Sequence, residues 1–217
     1  MKHLFLVRHA KSSWADETLS DRERPLSARG VSQLAPLGNA LKSVGAFEGE
    51  VYSSNARRAV ATLQGILPDK VAAERCHTLS ELYTFDYRRL LAWLEEQADA
   101  PQITLVGHNP ALLELAQSFL KQPPEQLPTA SFIHIRLSSK HWRQIGRGKA
   151  KLVTLITPQD YSYAHFERKL KKRARTAGDD PARDIPKALH HQLDRLRQLE
   201  QGVALGLDDE FLHQYRI

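Results

Sequence analysis

The chain has 217 residues, of which 41% are hydrophobic, and its formal net charge at pH 7 is +6. These values exclude a largely disordered chain and suit one α/β domain with an appended segment. No apolar run is long enough to cross a bilayer, and the first residues lack the apolar core of a secretory signal, so no membrane partner is expected. The single cysteine, Cys76, excludes an intramolecular disulfide and indicates a cytoplasmic location.

Short apolar runs alternate with segments of helical spacing along most of the chain. The runs predict six strands, at residues 4–7, 50–54, 75–79, 103–106, 132–137 and 152–156. A helix capped by Ser27 is predicted to run to Val44 with a kink at Pro36, and Asn55 is predicted to cap the helix that follows the second strand. The alternation predicts an α/β fold with a doubly wound, mostly parallel sheet flanked by helices.

Two predicted strands end in the same way, with a histidine directly after an apolar run. Arg8 and His9 follow the first run, and His108 follows the fourth. Arg57 and Arg58 lie in the first turns of the helix after the second strand. Because ligands bind beyond the carboxyl ends of strands in open α/β sheets, these side chains are expected to share one site. Arginine forks bind phosphoryl oxygens and histidine is a nucleophile, so the set favours phosphoryl chemistry.

Three motifs together resemble the histidine phosphatase superfamily. They are Arg8-His9-Ala10, Arg58-Ala59 followed by Thr62, and the VGHNP sequence at residues 106–110. Residues 21–30, DRERPLSARG, are similar to the loop of its small SixA-like branch, the phosphohistidine phosphatases. The resemblance covers about residues 1–157 and implies a hydrolase fold completed before the last 60 residues of the chain.

The resemblance, together with the chemistry of the residues, assigns roles to four side chains. His9 is the expected nucleophile, which forms a phosphohistidine intermediate, while Arg8, Arg58 and His108 bind the phosphoryl oxygens, with His108 donating if it is protonated. The resemblance places the site arginine directly before Ala59, which is Arg58, and Arg57 is the less suited because consecutive helical residues point about 100° apart. Protein cations supply the positive charge, so no metal and no other cofactor is expected.

The general acid is the least defined part of the site. Larger members of the superfamily carry a Glu or Asp in the loop that corresponds to residues 80–86, which makes Glu81 the first candidate and Asp86 the second. A surface carboxylate without a role is an equal alternative for both. Arg24 is a candidate phosphate contact that could equally pair with Asp21 or Glu23.

The expected activity is removal of a phosphoryl group from a phosphorylated protein, with phosphohistidine as the group attacked. Protonated imidazole is a good leaving group, so this substrate needs no strong acid. The alternatives are a small-molecule phosphomonoesterase of the same fold and, from another class, a non-catalytic phosphate-binding interaction module. Intact Arg8, His9, Arg58 and His108 argue against the second alternative.

Residues 1–158 are predicted to form the catalytic domain, and residues 159–217 a helical extension that tunes partner binding. A polyanion is a candidate partner for its basic run, which contains Arg168, Lys169, Lys171, Lys172, Arg173 and Arg175. The alternative is a solvated face. A stripe of apolar residues at helical spacing is predicted to pack on the catalytic domain or on a second copy of the chain; its members are Ile185, Leu189, Leu193, Leu196 and Leu199.

Overall fold

A computed structural model describes residues 1–68, 73–98, 100–147, 150–169 and 185–216 of the chain. The contacts within the chain define two compact units, Met1–Thr157 and Pro158–Ile217. The functional division at residue 158, into a catalytic domain and a partner-binding extension, stays a prediction.

The first unit contains a six-stranded sheet. Its strands are β1 (Lys2–Arg8), β2 (Glu50–Ser54), β3 (Cys76–Leu79), β4 (Gln102–Gly107), β5 (Phe132–Leu137) and β6 (Ala150–Ile156). Their order is β3-β2-β4-β1-β5-β6. The first four of these are mutually parallel, β5 runs antiparallel to β1, and β6 runs antiparallel to β5. The predicted doubly wound, mostly parallel α/β fold is confirmed, and each strand lies close to its predicted position.

Helices connect the parallel strands, and short 3-10 turns lie in the loops. The helices are α1 (Ala28–Ser32), α2 (Leu34–Ser43), α3 (Arg57–Ile66), α4 (Tyr87–Glu96) and α5 (Ala111–Phe119). The 3-10 turns are Asp21–Glu23, Ala73–Arg75, Ser80–Leu82 and Trp142–Arg147.

Two predictions about the helices are wrong, one about the continuity of a helix and one about an N-cap. The segment predicted as one kinked helix is two helices, α1 and α2, which are separated at Gln33. Pro36 lies in the first turn of α2, where backbone N–H groups have no partner within the helix, so proline is tolerated there. Asn55 does not cap α3: the N-cap is Ala56, and the Asn55 side chain instead accepts hydrogen bonds from Arg22. The predicted cap at Ser27 is confirmed, because its hydroxyl accepts from the Gly30 amide.

The central strand β1 is buried on both faces. Leu4 and Leu6 belong to the main apolar cluster on one side of the sheet, which also contains Trp93 and Trp142. Phe5 is also buried, at 1% exposure. Helices and loops cover both sides of a doubly wound sheet, which explains why the strand is a continuous apolar run. The buried strands β2, β4 and β1 lie side by side, so their carboxyl ends are held next to one another.

The second unit has a small core of its own, formed by Tyr163, Phe166, Leu199 and Phe211. Its helices in the described residues include Pro158–Tyr161, Ile185–Leu205 and Asp209–Arg216. Asp208 joins two segments, since its carboxylate accepts from the Tyr163 amide at 2.8 Å and from the Glu210 amide at 3.1 Å.

The predicted apolar stripe is divided in the structure. Leu199 is buried in the small core of the second unit, whereas Leu189, Leu193 and Leu196 are exposed, and the side chain of Ile185 lies outside the described residues. Packing of this stripe on the catalytic domain or on a second copy stays a prediction. Of the basic run, Arg168 and Lys169 are exposed, and its other members lie outside the described residues. None of the described helices combines the length and the apolar character that a membrane span needs.

Candidate active site

The sheet register brings the two strand-end histidines together. In the parallel pair of β1 and β4, Arg8 lies opposite Gly107, so His9 and His108 each follow an aligned position. The His9 amide donates to the Gly107 carbonyl at 3.2 Å, and the two imidazole ring centroids are 5.0 Å apart. The predicted convergence of these strand ends is therefore what the structure contains.

Arg58 lies between the two histidines. It is in the first turn of α3 and is 2% exposed, whereas its neighbour Arg57 is exposed. The Arg58 Nε donates to His9 Nε2 at 3.1 Å, and its Nη2 lies 3.3 Å from His108 Nδ1. Thr62, one turn later, accepts from the Ala10 amide at 3.0 Å, which fixes α3 against the end of β1.

The hydrogen bonds of His9 define which ring nitrogen can react. Its Nδ1 is 2.8 Å from the Ala10 carbonyl oxygen, which only accepts hydrogen bonds, so Nδ1 carries the proton. Nε2 then has the free electron pair, and that pair accepts the hydrogen bond from Arg58. His9 Nε2 is therefore the nitrogen that can attack an electrophile once Arg58 turns its donors elsewhere.

The opposite tautomer is assigned to His108. Its Nδ1 accepts from Arg58, so Nε2 carries the proton and donates to the Ser54 hydroxyl at 2.8 Å. Ser54 also accepts from the Ala56 amide at 3.2 Å and so joins the end of β2 to the start of α3. The ring of His108 is thereby fixed in orientation.

Both imidazoles are neutral at neutral pH. Burial, followed by the charges of Arg58 and Arg8, lowers the pKa of His9 from 6.5 to about 3, although the hydrogen bond to Ala10 opposes the shift. Burial, His9 and Arg58 likewise lower the pKa of His108 from 6.5 to about 3. A neutral His9 has the electron pair that nucleophilic attack requires. A protonated His108 requires a bound anion, because a nearby negative charge raises a histidine pKa.

These shifts predict a dependence of stability on pH. Between pH 6.5 and about 3, the unfolded chain takes up protons at His9 and His108 that the folded chain does not. The free energy of unfolding should therefore decrease as the pH is lowered from 6.5 to about 3, by up to about 1.4 kcal/mol per pH unit for each histidine. Urea unfolding at pH 7, 6 and 5 should show a smaller decline for His108→Gln than for the unmodified chain. An equal decline in both proteins would contradict the assignment.

Arg8 is held by a backbone carbonyl in the loop before β5. Its Nη1 donates to the Leu127 carbonyl at 2.8 Å, and Asn109 Nδ2 donates to the same oxygen at 2.9 Å. The buried Nε of Arg8 has no hydrogen-bond partner among the described residues. Arg8 thus contributes positive charge and a free donor next to His9.

Arg24 takes the pairing that the sequence offered as an alternative. Its Nη2 forms an ion pair with Asp21 Oδ1, and its guanidinium stacks on Trp14, 3.5 Å from the ring centroid. Arg24 is 8% exposed, and its Nε and Nη1 have no hydrogen-bond partner within the described parts of the chain. Its proposed contact with phosphate stays a prediction, and these two free donors favour it.

The candidate general acids do not join this cluster. Glu81 is exposed on the single turn Ser80–Leu82 and has no hydrogen bond or ion pair to the other described residues. Asp86 caps α4, where its carboxylate accepts from the Arg88 amide at 2.9 Å. The role of Glu81 as general acid stays a prediction without a supporting contact.

Two residues that the sequence did not assign to the site are part of it. Asp21 was considered only as a partner of Arg24, but its Oδ2 also accepts from Arg58 Nη2 at 2.8 Å and from the Tyr83 hydroxyl at 2.7 Å. The ring of Tyr83 meets His108 edge-on, with centroids 5.4 Å apart. Burial raises the pKa of Asp21, but the hydrogen bonds from Tyr83 and Arg58 outweigh it and lower that pKa to about 2.

Metal ligands are not grouped at this site. Over the described residues, no set of three or more His, Cys, Asp or Glu side chains is placed to hold a metal ion. The donors of the site are arginine and imidazole nitrogens, which suit an anion. A metal-independent reaction stays a prediction.

The sequence of the first unit matches a known family. Residues 4–87 match the family model described as the histidine phosphatase superfamily, branch 1. The matched residues include His9, directly after β1, and Arg58 in α3. This match over residues 4–87 supports the resemblance that the strand-end motifs indicated.

Several related proteins share this part of the chain. An uncharacterized chloroplastic protein of Arabidopsis thaliana is 28% identical over 171 residues, which cover 72% of this chain and 78% of that protein. The structure is similar to that of the putative phosphohistidine phosphatase SixA from Nakamurella multipartitia, with a TM-score of 0.60, 24% identity and coverage of 72% and 96% of the two chains.

A second structural relative is described as a phosphatase of another substrate. The putative alpha-ribazole-5'-P phosphatase of Escherichia coli has a TM-score of 0.54 and 20% identity, with coverage of 73% of this chain and 98% of that one. At such identities, the two structural likenesses concern the fold.

Proposed function

We propose that this protein is a member of the histidine phosphatase superfamily that hydrolyses phosphoryl groups through a covalent intermediate on His9, and that its substrate is phosphohistidine in a protein. The observation that carries the proposal is the state of His9, whose Nε2 electron pair is free of a proton and faces Arg58. The ring of His108 lies 5.0 Å from that of His9, and the charge of Arg8 is close enough to lower the pKa of His9. Phosphoryl transfer depends on positioning and charge stabilisation, which such a set of cationic and neutral donors supplies.

The proposed reaction has two displacements. The electron pair of His9 Nε2 attacks phosphorus, and the bond from phosphorus to the leaving nitrogen or oxygen breaks, with its electrons going to the leaving group. The Nδ1 proton stays on the ring, where the Ala10 carbonyl stabilises the positive charge that develops. Water then attacks phosphorus, the phosphorus–nitrogen bond breaks, and inorganic phosphate and free His9 are formed.

The absence of a placed acid favours phosphohistidine over an ester. Glu81 has no contact with the cluster among the described residues, and Asp21, with a pKa lowered to about 2, is ionised and has no proton to give. An alkoxide leaving group needs a proton from the enzyme, whereas a protonated imidazole does not. The rings of Tyr83 and Phe85 lie 5.4 and 5.7 Å from His108 and offer a flat leaving group an aromatic surface.

The alternative substrate is a small phosphomonoester. It is favoured by the similarity to the Escherichia coli structure, which is that of a putative alpha-ribazole-5'-P phosphatase. The test compares kcat/KM on a phosphohistidine-carrying protein with kcat/KM on phosphoserine, phosphotyrosine and p-nitrophenyl phosphate. We expect the phosphohistidine protein to be preferred. Preference for an ester would support the alternative, and phosphate binding without any turnover would indicate a non-catalytic module.

The second unit is proposed to bind partners and to leave the chemistry to the first. Arg8, His9, Arg58 and His108 all lie within Met1–Thr157, whereas the basic run from Arg168 to Arg175, proposed as a polyanion contact, lies in Pro158–Ile217. A cytoplasmic location, expected from the single cysteine, is part of the same proposal.

Removal of the second unit should therefore spare the chemistry. A chain that ends at Pro158 is expected to keep its melting temperature within a few degrees and its kcat on p-nitrophenyl phosphate within about twofold, because the second unit has a core of its own. At low salt, where electrostatic attraction is strong, the shortened chain should turn over a phosphorylated protein more slowly than the full chain does. Retained folding with lost kcat would contradict the proposed boundary.

A further inference from the structure

One carboxylate occupies the arginine donors that a phosphoryl group would need. Asp21 Oδ2 accepts from Arg58 Nη2 at 2.8 Å, its backbone carbonyl accepts from Arg58 Nη1, and its Oδ1 pairs with Arg24. The Tyr83 hydroxyl donates to the same carboxylate at 2.7 Å. With Arg58 Nε bound to His9, most of the N–H groups of this guanidinium are engaged within the chain.

The arginines around this carboxylate have further donors to offer. Arg24 and Arg8, both linked to the site, keep buried N–H groups that have no hydrogen-bond partner among the described residues. Buried polar groups are usually satisfied, so such donors indicate that an anion larger than one carboxylate fits there. The Asp21 side chain itself is 42% exposed and lies on the single turn Asp21–Glu23, so it can leave without disturbing the core.

We propose that Asp21 is an internal competitor for the phosphoryl site, whose carboxylate holds Arg58 and Arg24 until a phosphoryl dianion displaces it. The inference rests on the proposed function, because it names a further residue that sets substrate affinity at the same site. A dianion brings more charge and more acceptor oxygens than a carboxylate, and so it can take over both arginines. The free Arg58 then turns its Nε–H from His9 Nε2 to the phosphoryl group, which leaves the electron pair open for attack.

A competing role and a positioning role of Asp21 predict opposite effects of the same substitution on phosphate binding. If Asp21 only positioned the arginines, its loss would weaken phosphate binding. If Asp21 competes, Asp21→Asn lowers the negative charge at the arginines and tightens binding, by about tenfold in the dissociation constant for inorganic phosphate. The KM for a phosphoryl substrate should fall in parallel.

The experiment titrates inorganic phosphate at pH 8 into the full chain and three variants, by calorimetry. Asp21→Asn should bind about tenfold more tightly than the unmodified chain, and Tyr83→Phe, which removes one donor to the competing carboxylate, should bind about twofold more tightly. Glu23→Gln is the matched control: Glu23 lies on the same turn and pairs with Ser20, so its loss of charge should leave binding unchanged. Melting temperatures check that each variant is folded.

Each result has a defined consequence. Tighter binding by Asp21→Asn, with Glu23→Gln unchanged, supports competition. Unchanged or weaker binding by a folded Asp21→Asn would overturn the inference while leaving the proposed function intact. Equal tightening by Glu23→Gln would also overturn it, because the effect would then come from net charge alone. Failure of all four proteins to bind phosphate would overturn the proposed function together with the inference.

Discussion

His9→Ala is expected to abolish phosphatase turnover, with kcat lowered by at least about 10⁴-fold, because the side chain that forms the covalent bond is removed. His9 lies at the end of β1, outside the apolar clusters of the sheet, so the variant should remain folded. The measurements are kcat on p-nitrophenyl phosphate and the melting temperature.

His77→Ala is a suitable control for this variant. His77 lies on β3 and pairs with Glu50 at 3.0 Å, so it removes a histidine from the same sheet without touching the site. Its kcat should be unchanged. A folded His9→Ala protein that retains turnover would exclude His9 as the nucleophile.

The second large effect is expected at Arg58. Arg58→Ala should lower kcat/KM by roughly 10²- to 10⁴-fold, since loss of a buried charged partner costs about 3–5 kcal/mol. Arg57→Ala should lower it by less than about threefold, because Arg57 is exposed on the adjacent position of α3. Both variants remove one positive charge, so the difference between their kcat/KM values reports the position of the arginine and not the net charge of the protein.

Arg58→Lys refines this comparison. Lysine keeps the charge but not the planar fork that contacts His9, Asp21 and His108 together. We expect kcat/KM between those of the alanine variant and the unmodified chain. Equal losses for Arg57→Ala and Arg58→Ala would contradict the arrangement of α3 in the site.

The convergence of the arginine–histidine cluster could be predicted because it follows from regular structure. Parallel strands place their carboxyl ends at one edge, so an apolar run followed by His9 and another followed by His108 indicated neighbours. The resemblance identified Arg58, and the rotation of about 100° per helical residue indicated that Arg57 points elsewhere. Neither inference required knowledge of a loop conformation.

The loop contacts could not be predicted for the opposite reason. Asp21 meets Arg58 across 37 positions and Tyr83 across 62, and no local spacing encodes such pairs. An acidic residue three positions before Arg24 suggested an ion pair with that arginine alone. The neutral state of His108 also depends on burial, which the sequence does not give directly.

The helix boundaries likewise divide into those set by local contacts, which could be predicted, and those set by tertiary contacts, which could not. The Ser27 cap is local, since its hydroxyl accepts from an amide three residues later, and it was predicted. The break between α1 and α2 occurs at Gln33, a fully buried residue whose side chain accepts from the Lys11 amide at 3.2 Å. That contact joins the helix to the loop after β1, so it depends on tertiary structure.

The most direct measurement is detection of the phosphorylated enzyme. Brief incubation with a phosphohistidine protein labelled with ³²P, followed by alkaline denaturation, should leave one alkali-stable, acid-labile phosphoryl group per chain. Peptide mapping should place this group on His9 in the active protein, and His9→Ala should carry none. A label on His108, or turnover with no labelled enzyme at any time after mixing, would contradict the covalent mechanism.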